Sequence, residues 1–309
     1  MSKKIIITGA TGLIGKKLAQ KLIGRGDEVI IFSRDENKSK RLIPGAKDYV
    51  KWDYRKIPDW QNKIEGTDGI VHLAGVNLFS KRWNSEFKKE IIQSRTLSTR
   101  SFIEAIRNSN HRPGFFICAS GVGIYGDRKD ELLNEDSLPG NDFLSEVCLA
   151  WEEEAKKAED YGLRRVSIRT AIVLSKEDGA LKQMLLPFKF FIGGPLGSGR
   201  QFFPWLHIDD IVGIYLHAID TNNLYGPLNA ASPEHKTMKE FATTLGKVLK
   251  RPALFSVPAF ALKIAVGESA SAVLSGQKIN SQKLLKSGYK FNFLSLEDAL
   301  KDLLTKTGK

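Results

Sequence analysis

Lys4-Ile5-Ile6-Ile7-Thr8-Gly9-Ala10-Thr11-Gly12-Leu13-Ile14-Gly15 opens the chain almost at Met1. The β-branched run predicts a strand over Lys4–Thr8. Glycines follow at the spacing G-x-x-G-x-x-G, and Leu18, Leu22 and Ile23 then recur on one helical face. A strand, a tight glycine turn and a helix start, in that order, bring bare backbone N–H groups and a helix N-terminus against a pyrophosphate. In this reading Gly9 permits the turn, Gly12 admits the phosphates, and Gly15 lets the helix pack on the strand. The glycines by themselves are a weak signal; the flanking strand and amphipathic helix make the motif a dinucleotide site. The alternative is a glycine-rich strand–helix turn with no ligand.

Further along, short apolar runs alternate with helical stretches. Strands are predicted at Glu28–Ser33, Tyr49–Trp52, Gly69–Ala74, Gly114–Ser120 and Arg165–Arg169, and helices at Leu13–Gly24, Ser85–Ser109 and Glu146–Tyr161. This alternation implies α/β architecture: a Rossmann-type, doubly wound parallel sheet whose ligand sits beyond the C-terminal ends of the strands. From about Leu174 the texture changes. Gly193–Arg200 reads as a loop, and helices are predicted at Ile211–Ile219 and Thr237–Leu249. The division expected is a nucleotide-binding core over residues 1–173 and a small C-terminal α/β lobe over 174–309, partly interleaved with it.

Composition excludes several classes. The chain has 309 residues and 42% hydrophobic content, ordinary for a globular protein. Apolar runs fall far short of the ~20 residues of a membrane span. The expectation is therefore no membrane association and, with no signal peptide before Ile5 and only two cysteines, Cys118 and Cys148, a cytoplasmic protein. The net charge of +12 is spread over scattered lysines. Without zinc spacing, a basic-region helix or an RNA-binding aromatic signature, nucleic acid is not an expected partner. No metal site is expected. A monomer or homodimer acting on a small molecule is.

The second strand ends Phe32-Ser33-Arg34. An acidic residue there would take the ribose hydroxyls of NAD; Arg34, with Ser33 as a second donor, instead suits the 2′-phosphate of NADP(H). The alternative for Arg34 is a solvated strand-end arginine. Asp53 ends the third strand and reads equally as an adenine contact or a turn aspartate. Leu73-Ala74-Gly75 supplies small residues where the fourth strand meets the cofactor, and Asn77 is placed to pin the following loop or to reach substrate.

The glycine turn, Leu73-Ala74-Gly75 and Ile124-Tyr125-Gly126 together resemble the extended short-chain dehydrogenase/reductase family of nucleotide-sugar epimerases. Arg82-Trp83-Asn84, Ser94-Arg95, Phe143–Cys148, Gly193–Gly199 and Phe202–Asp210 are similar to one subgroup, the "epimerase family proteins", as is the stretch from Arg251-Pro252-Ala253 to Ser275-Gly276-Gln277. The resemblance covers nearly the whole chain, including the subgroup's C-terminal domain of unknown function. It implies NADP(H) contacts at Gly9, Thr11, Gly12, Leu13, Ile14, Gly15, Ser33, Arg34, Leu73, Ala74, Glu90, Arg95 and Val173. Read alone, Glu90 and Arg95 are a charged helical face.

Most relatives rely on a Tyr-x-x-x-Lys pair whose lysine lowers the tyrosine pKa for proton exchange with substrate. Here the tyrosine position falls on Leu144 and the lysine position on Cys148, and Gly121 takes the slot of the assisting serine. Ser120 and Tyr125, the latter expected at the cleft mouth, are the remaining catalytic candidates. Arg200, in Gly197-Ser198-Gly199-Arg200, and His207 are candidates for substrate, and for His207 a helix-capping role is the alternative. The activity expected is an oxidoreductase or epimerase-like reaction on a carbonyl or alcohol, anionic or nucleotide-sugar-like. The competing reading is a non-catalytic NADP(H)-binding regulator, for instance linked to cell division.

Overall fold

Runs such as Ile5-Ile6-Ile7 and Val29-Ile30-Ile31-Phe32 are buried on every residue, the pattern of strands covered on both faces. The computed structural model describes residues 2–56 and 59–305. Seven strands form one parallel sheet: β1 (Lys4–Thr8), β2 (Glu28–Ser33), β3 (Asp48–Lys51), β4 (Gly69–His72), β5 (Phe115–Gly121), β7 (Arg164–Thr170) and β10 (Gly226–Ala230). Their order is β10-β7-β5-β4-β1-β2-β3. The direction of winding reverses between β1 and β4, so the crevice beyond Thr8 and His72 is the topological switch point. The doubly wound Rossmann-type sheet expected from the alternation is the observed fold.

Helices α1 (Leu13–Gly24), α2 (Glu36–Leu42), α3 (Ser85–Arg107), α4 (Phe143–Lys156) and α6 (Ile208–Asp220) flank this sheet. Two apolar layers result. One packs α1 and α6 onto Ile5, Ile7, Val166 and Ile168. The other gathers Trp52, Trp60, Phe102, Phe116 and Trp151 on the opposite face. Gly69 is required where β4 meets β5: a Cβ there would lie 2.1 Å from the Phe115 ring.

The remaining elements are β6 (Leu132–Leu133), β8 (Ile172–Leu174), α5 (Ala180–Lys189), β9 (Trp205–His207), α7 (Met238–Leu249), α8 (Ala259–Val266), α9 (Ser271–Leu274), β11 (Lys278–Ile279), α10 (Gln282–Lys286) and α11 (Leu296–Thr305). β6 pairs with β11, and β8 with β9, in small parallel ribbons. Chain from beyond residue 173 also builds the core, since β10 pairs with β7 and α6 packs on α1.

Several elements escape the sequence reading for local reasons. β10 contains Pro227, and it is tolerated because β10 is the sheet edge. Helix α2 has no apolar stripe but is started by Asp35, whose side chain accepts from the Lys38 N–H at 2.9 Å. Helix α4 begins at Phe143, three residues before the expected start, because Asp142 caps it through the Ser145 N–H at 2.8 Å.

Candidate functional site

At the glycine turn, Gly9 adopts φ +65° and lies against the end of β4; a Cβ on it would sit 2.8 Å from the Leu73 carbonyl carbon. A Cβ on Gly15 would lie 2.3 Å from the Gly9 carbonyl oxygen. Gly9 and Gly15 thus close the turn against β4 and α1. Gly12 is the N-cap residue of α1 and offers no side chain to the first-turn N–H groups, and that turn holds no acidic residue. The helix start is an uncapped donor set with its positive dipole end outward, the electrostatics of an anion site. An open cavity of about 450 Å³ lies against it, lined by Thr11, Gly12, Leu13, Lys16 and Lys17 with Glu177, Asp178 and Lys182 from the segment after β8.

The end of β4 is fixed by a relay that sequence reading missed. The Thr8 hydroxyl oxygen accepts the N–H groups of Leu73 and Ala74, both at 3.1 Å. Its proton is then free to go to His72 Nδ1, 2.8 Å away. His72 Nε2 meets the Ser98 hydroxyl at 3.0 Å, and Ser98 donates onward to Ser94 O. A histidine within an otherwise apolar strand was the available signal. Burial, reinforced by the Arg95 charge, lowers the His72 pKa to about 3.

The sign of the resulting pH dependence is fixed. Above the ordinary histidine value of 6.5 both folded and unfolded chains hold His72 neutral; below it only the unfolded chain takes up the proton. Stability from this residue falls by about 1.4 kcal/mol per pH unit as pH drops from 6.5 toward 3, so moving from pH 7 to pH 5 is expected to cost about 2 kcal/mol. Urea midpoints across that range check it; His72→Asn should flatten the slope.

Arg34 is exposed at the end of β2 and its guanidinium makes no hydrogen bond among the described residues. Ser33 is half-buried, and its hydroxyl is engaged with the backbone of Asp35. Asp53 accepts from the Arg55 N–H at 3.0 Å, a turn aspartate. Leu73, Ala74 and Val173 are half-buried at strand ends and Gly75 is exposed. Asn77 is exposed, and its side chain accepts from the Phe79 N–H at 2.9 Å, closing the loop.

Glu90 and Arg95 share α3 but not an environment. Glu90 is exposed, 3.3 Å from Lys81 Nζ. Arg95 is buried, donates to Ile91 O and Val76 O, and lies 5.1 Å from the Trp151 ring centroid. Its guanidinium carbon comes within 3.1 Å of where a Gly75 Cβ would be. Burial lowers its pKa, and its hydrogen bonds go to carbonyls rather than to a carboxylate. A buried cation compensated only by dipoles, beside the strand end at the switch point, suits an anionic ligand.

The corner between β5 and α4 is where relatives place their proton-transfer pair. A Cβ on Gly123 would lie 3.3 Å from Leu144 Cβ, and one on Gly121 would lie 3.6 Å from Cys148 Sγ, so both replaced positions do face the end of β5. Burial pushes the Cys148 thiol up to about 11, leaving it protonated and uncharged near neutrality.

Ser120 and Tyr125 are both engaged in buried hydrogen bonds. Tyr125 is fully buried, not at the cleft mouth as expected. Its hydroxyl donates to Asn229 Oδ1 at 2.7 Å and accepts from Arg169 Nη1 at 2.8 Å; burial pushes its pKa up to about 12. Ser120 donates to Glu152 Oε1 at 2.6 Å. Arg169 grips both oxygens of Glu152 at 2.9 Å. Ser120, Glu152, Arg169, Tyr125 and Asn229 form one buried polar network tying β5, α4, β7 and β10 together, and its hydroxyl protons are already donated. What the structure corrects is the position expected of Tyr125: β7 and β10, unseen from local sequence, supply the partners that draw both hydroxyls inward.

The substrate candidates also separate. Arg200 is exposed on its loop, where the Ser198 hydroxyl accepts its backbone N–H at 3.2 Å. His207 is fully buried and caps α6, its Nδ1 accepting from the Asp209 N–H at 3.0 Å. It stacks on Phe293 with centroids 3.9 Å apart, which removes it from any open cleft and makes it a helix cap. His207, Asp209 and Asp302 do come together. However, Nδ1 accepts a hydrogen bond, so Nε2 carries the ring proton where it faces Asp302 at 3.4 Å. With Nδ1 engaged as the acceptor of the helix cap, the ring has only Nε2 to turn toward Asp302, and no hydrogen bond forms there.

Comparison with known proteins places the chain in a family. Residues 5–231 match the NAD dependent epimerase/dehydratase family, and residues 257–303 match a domain of unknown function, DUF1731. The chain is 37% identical over 302 residues to the Arabidopsis thaliana chloroplastic epimerase family protein SDR39U1 homolog, covering 97% of this chain and 86% of that protein. It is 37% identical to the Homo sapiens epimerase family protein SDR39U1, covering 97% and 99%. The crystal structure of human SDR39U1 with NADPH superposes with a TM-score of 0.88 at 34% identity, covering 98% of this chain and all of that one. A nucleoside-diphosphate sugar epimerase from Corynebacterium glutamicum superposes at 0.77 and 32% identity, with this chain spanning 58% of its length.

Proposed function

The chain belongs to the NAD dependent epimerase/dehydratase family, and from that premise we propose that it binds NADP(H) and carries out hydride chemistry on a small carbonyl or alcohol substrate. The observation that carries this reading is the uncapped start of α1 facing the switch point, with the exposed guanidinium of Arg34 at the end of the neighbouring strand. The first-turn N–H groups after Gly12 would hold the pyrophosphate and Arg34 the 2′-phosphate. Arg95 adds a buried positive charge beside Gly75. NADPH bound in human SDR39U1, which shares the fold along its whole length, supports the choice of cofactor. When bound, NADPH supplies a hydride to a carbonyl carbon.

The chain's own contribution is binding and orientation. The Thr8–His72–Ser98 relay holds Leu73 and Ala74 in place behind the cofactor site. Leu144 carries no exchangeable proton and the Cys148 thiol is uncharged, so no acid–base pair of the usual kind stands at the end of β5, and the substrate proton is exchanged by another route. The substrate class we propose is an anionic or nucleotide-sugar-like carbonyl or alcohol, a reading supported by the likeness to the nucleoside-diphosphate sugar epimerase.

Arg34→Ala is expected to weaken NADPH binding roughly 10- to 100-fold, the loss of a charge-assisted bidentate contact, and to leave NADH binding unchanged. Fluorescence titration with both nucleotides checks it. Catalysis is tested by a panel of carbonyl and nucleotide-sugar substrates with NADPH. Tight NADPH binding with no turnover above background would favour a non-catalytic role instead.

A further inference from the structure

Nine of the fifteen exposed large hydrophobic side chains among the described residues fall in two stretches, residues 179–208 and 241–267, less than a fifth of the chain. These stretches contain no aspartate or glutamate, and they carry seven lysines and arginines, more than half of the chain's net charge of +12. The two are laid side by side. The N–H groups of Phe255 and Val257 donate to Gly193 O and Pro195 O at 3.3 and 2.9 Å, and Gly197 N–H returns a bond to Val257 O at 2.9 Å. The Arg251 guanidinium lies 4.3 Å from the Phe191 ring centroid.

On this surface Phe190, Phe191 and Ile192 follow α5 and are 67%, 52% and 56% exposed. Leu254 beside them is 80% exposed. Helix α8 comes next, Ala-Phe-Ala-Leu-Lys-Ile-Ala-Val, apolar around its circumference except for Lys263 and with no buried residue. A helix of that composition belongs in an apolar environment. Both of its ends are tethered: Pro258 leads in from the paired strip, and Arg82 donates to Ile264 O and Ala265 O at 2.7 and 2.9 Å at its C-terminus. The surface is therefore built and held, with its apolar side chains outward.

We propose that this face docks the protein reversibly on an anionic lipid bilayer. Lys247 of these stretches pairs with Glu297 and Lys182 lines the glycine-turn cavity, but Lys189, Arg200, Lys250, Arg251 and Lys263 make no ion pair among the described residues. Aromatic and aliphatic side chains among such cations are what insertion at a headgroup boundary requires. A second copy of the chain is a poor occupant. An isologous contact sets the same patch against itself, and the carboxylates at its border, Glu268 and Glu297, are already paired with Lys88 and Lys247, which leaves the facing cations uncompensated. Insertion is interfacial: no helix among the described residues is long and apolar enough to cross a membrane. The sequence reading, which looked for a spanning segment, gave a membrane no place. It could not see that two distant stretches share one face.

The test is flotation of the full-length protein with vesicles of phosphatidylcholine alone or with 30% phosphatidylglycerol. The proposal expects co-flotation with the anionic vesicles only, weakened by raised salt. It also expects at least a ten-fold loss of partitioning in Phe190→Ser/Phe191→Ser, in Phe260→Ser/Ile264→Ser and in Lys250→Glu/Arg251→Glu. These side chains are exposed, so thermal melts should match the parent. No retention on anionic vesicles at low salt overturns it, as does retention that all three variants share. It is equally overturned if the parent is a dimer by light scattering and the same substitutions make it a monomer, since the second copy is then the occupant.

Discussion

Gly15→Ala is expected to abolish NADPH binding and to destabilise the fold by about 2–3 kcal/mol, the scale of overpacking in a rigid environment. The added methyl would sit 2.3 Å from the Gly9 carbonyl oxygen and 2.8 Å from Ala10 Cα, and both are backbone atoms with no rotamer to escape into. The turn cannot recede either. Gly9 is already pressed against the Leu73 carbonyl, and that strand end is pinned by Thr8. Helix α1 must therefore lift away, taking its first-turn N–H groups out of position for a phosphate. Gly24→Ala is the control at the other end of the same helix, where an added Cβ meets nothing within 4 Å; it should melt no lower than the parent. Thermal unfolding and NADPH fluorescence read both effects. If Gly15→Ala binds NADPH with parental affinity, the glycine turn is not the cofactor site.

The second large effect lies in the buried network. Glu152→Gln is expected to cost about 3–5 kcal/mol, because it leaves Arg169 charged and buried without its carboxylate. Arg169 is only 9% and Glu152 11% exposed, and the pair also orients Ser120 and, through Arg169, Tyr125. The double variant Glu152→Leu/Arg169→Met removes both charges and should be less destabilised than either single change, the signature of a desolvated pair. Urea denaturation of the parent, Glu152→Leu, Arg169→Met and the double variant gives the cycle, with Glu152→Gln measured beside them; a cost under about 1 kcal/mol for Glu152→Gln would show the pair to be solvated and structurally minor.

These two sites differ in how far they could be read from sequence. The glycine turn is a local object: strand, turn and helix are contiguous, and Gly9, Gly12 and Gly15 act within seven residues. The absence of a proton-transfer pair was legible for the same reason, since Leu144 and Cys148 sit at a fixed spacing on one helix. The fate of Ser120 and Tyr125 was not. Both stand near the end of β5, and whether a hydroxyl there faces a cleft or the core depends on Glu152, Arg169 and Asn229, brought from α4, β7 and β10. The proline in β10 hid the strand that supplies Asn229. Arg95 offers an intermediate case. Its place on α3 was readable, but its burial against Trp151 was not.

By itself the sequence determined the class of fold and the chemistry of the cofactor end. Unbroken apolar runs must be covered on both faces and a glycine-only turn must pack against backbone, both through neighbours a few residues apart; the strand-end arginine is the residue from which NADP(H) was expected. Tertiary structure decided which polar groups are spent internally and which surface faces outward. It folded Tyr125 into a network and His207 under a helix, and it laid two acid-free stretches against each other. Burial and charge density arise from segments distant along the chain, and only packing fixes where those segments meet.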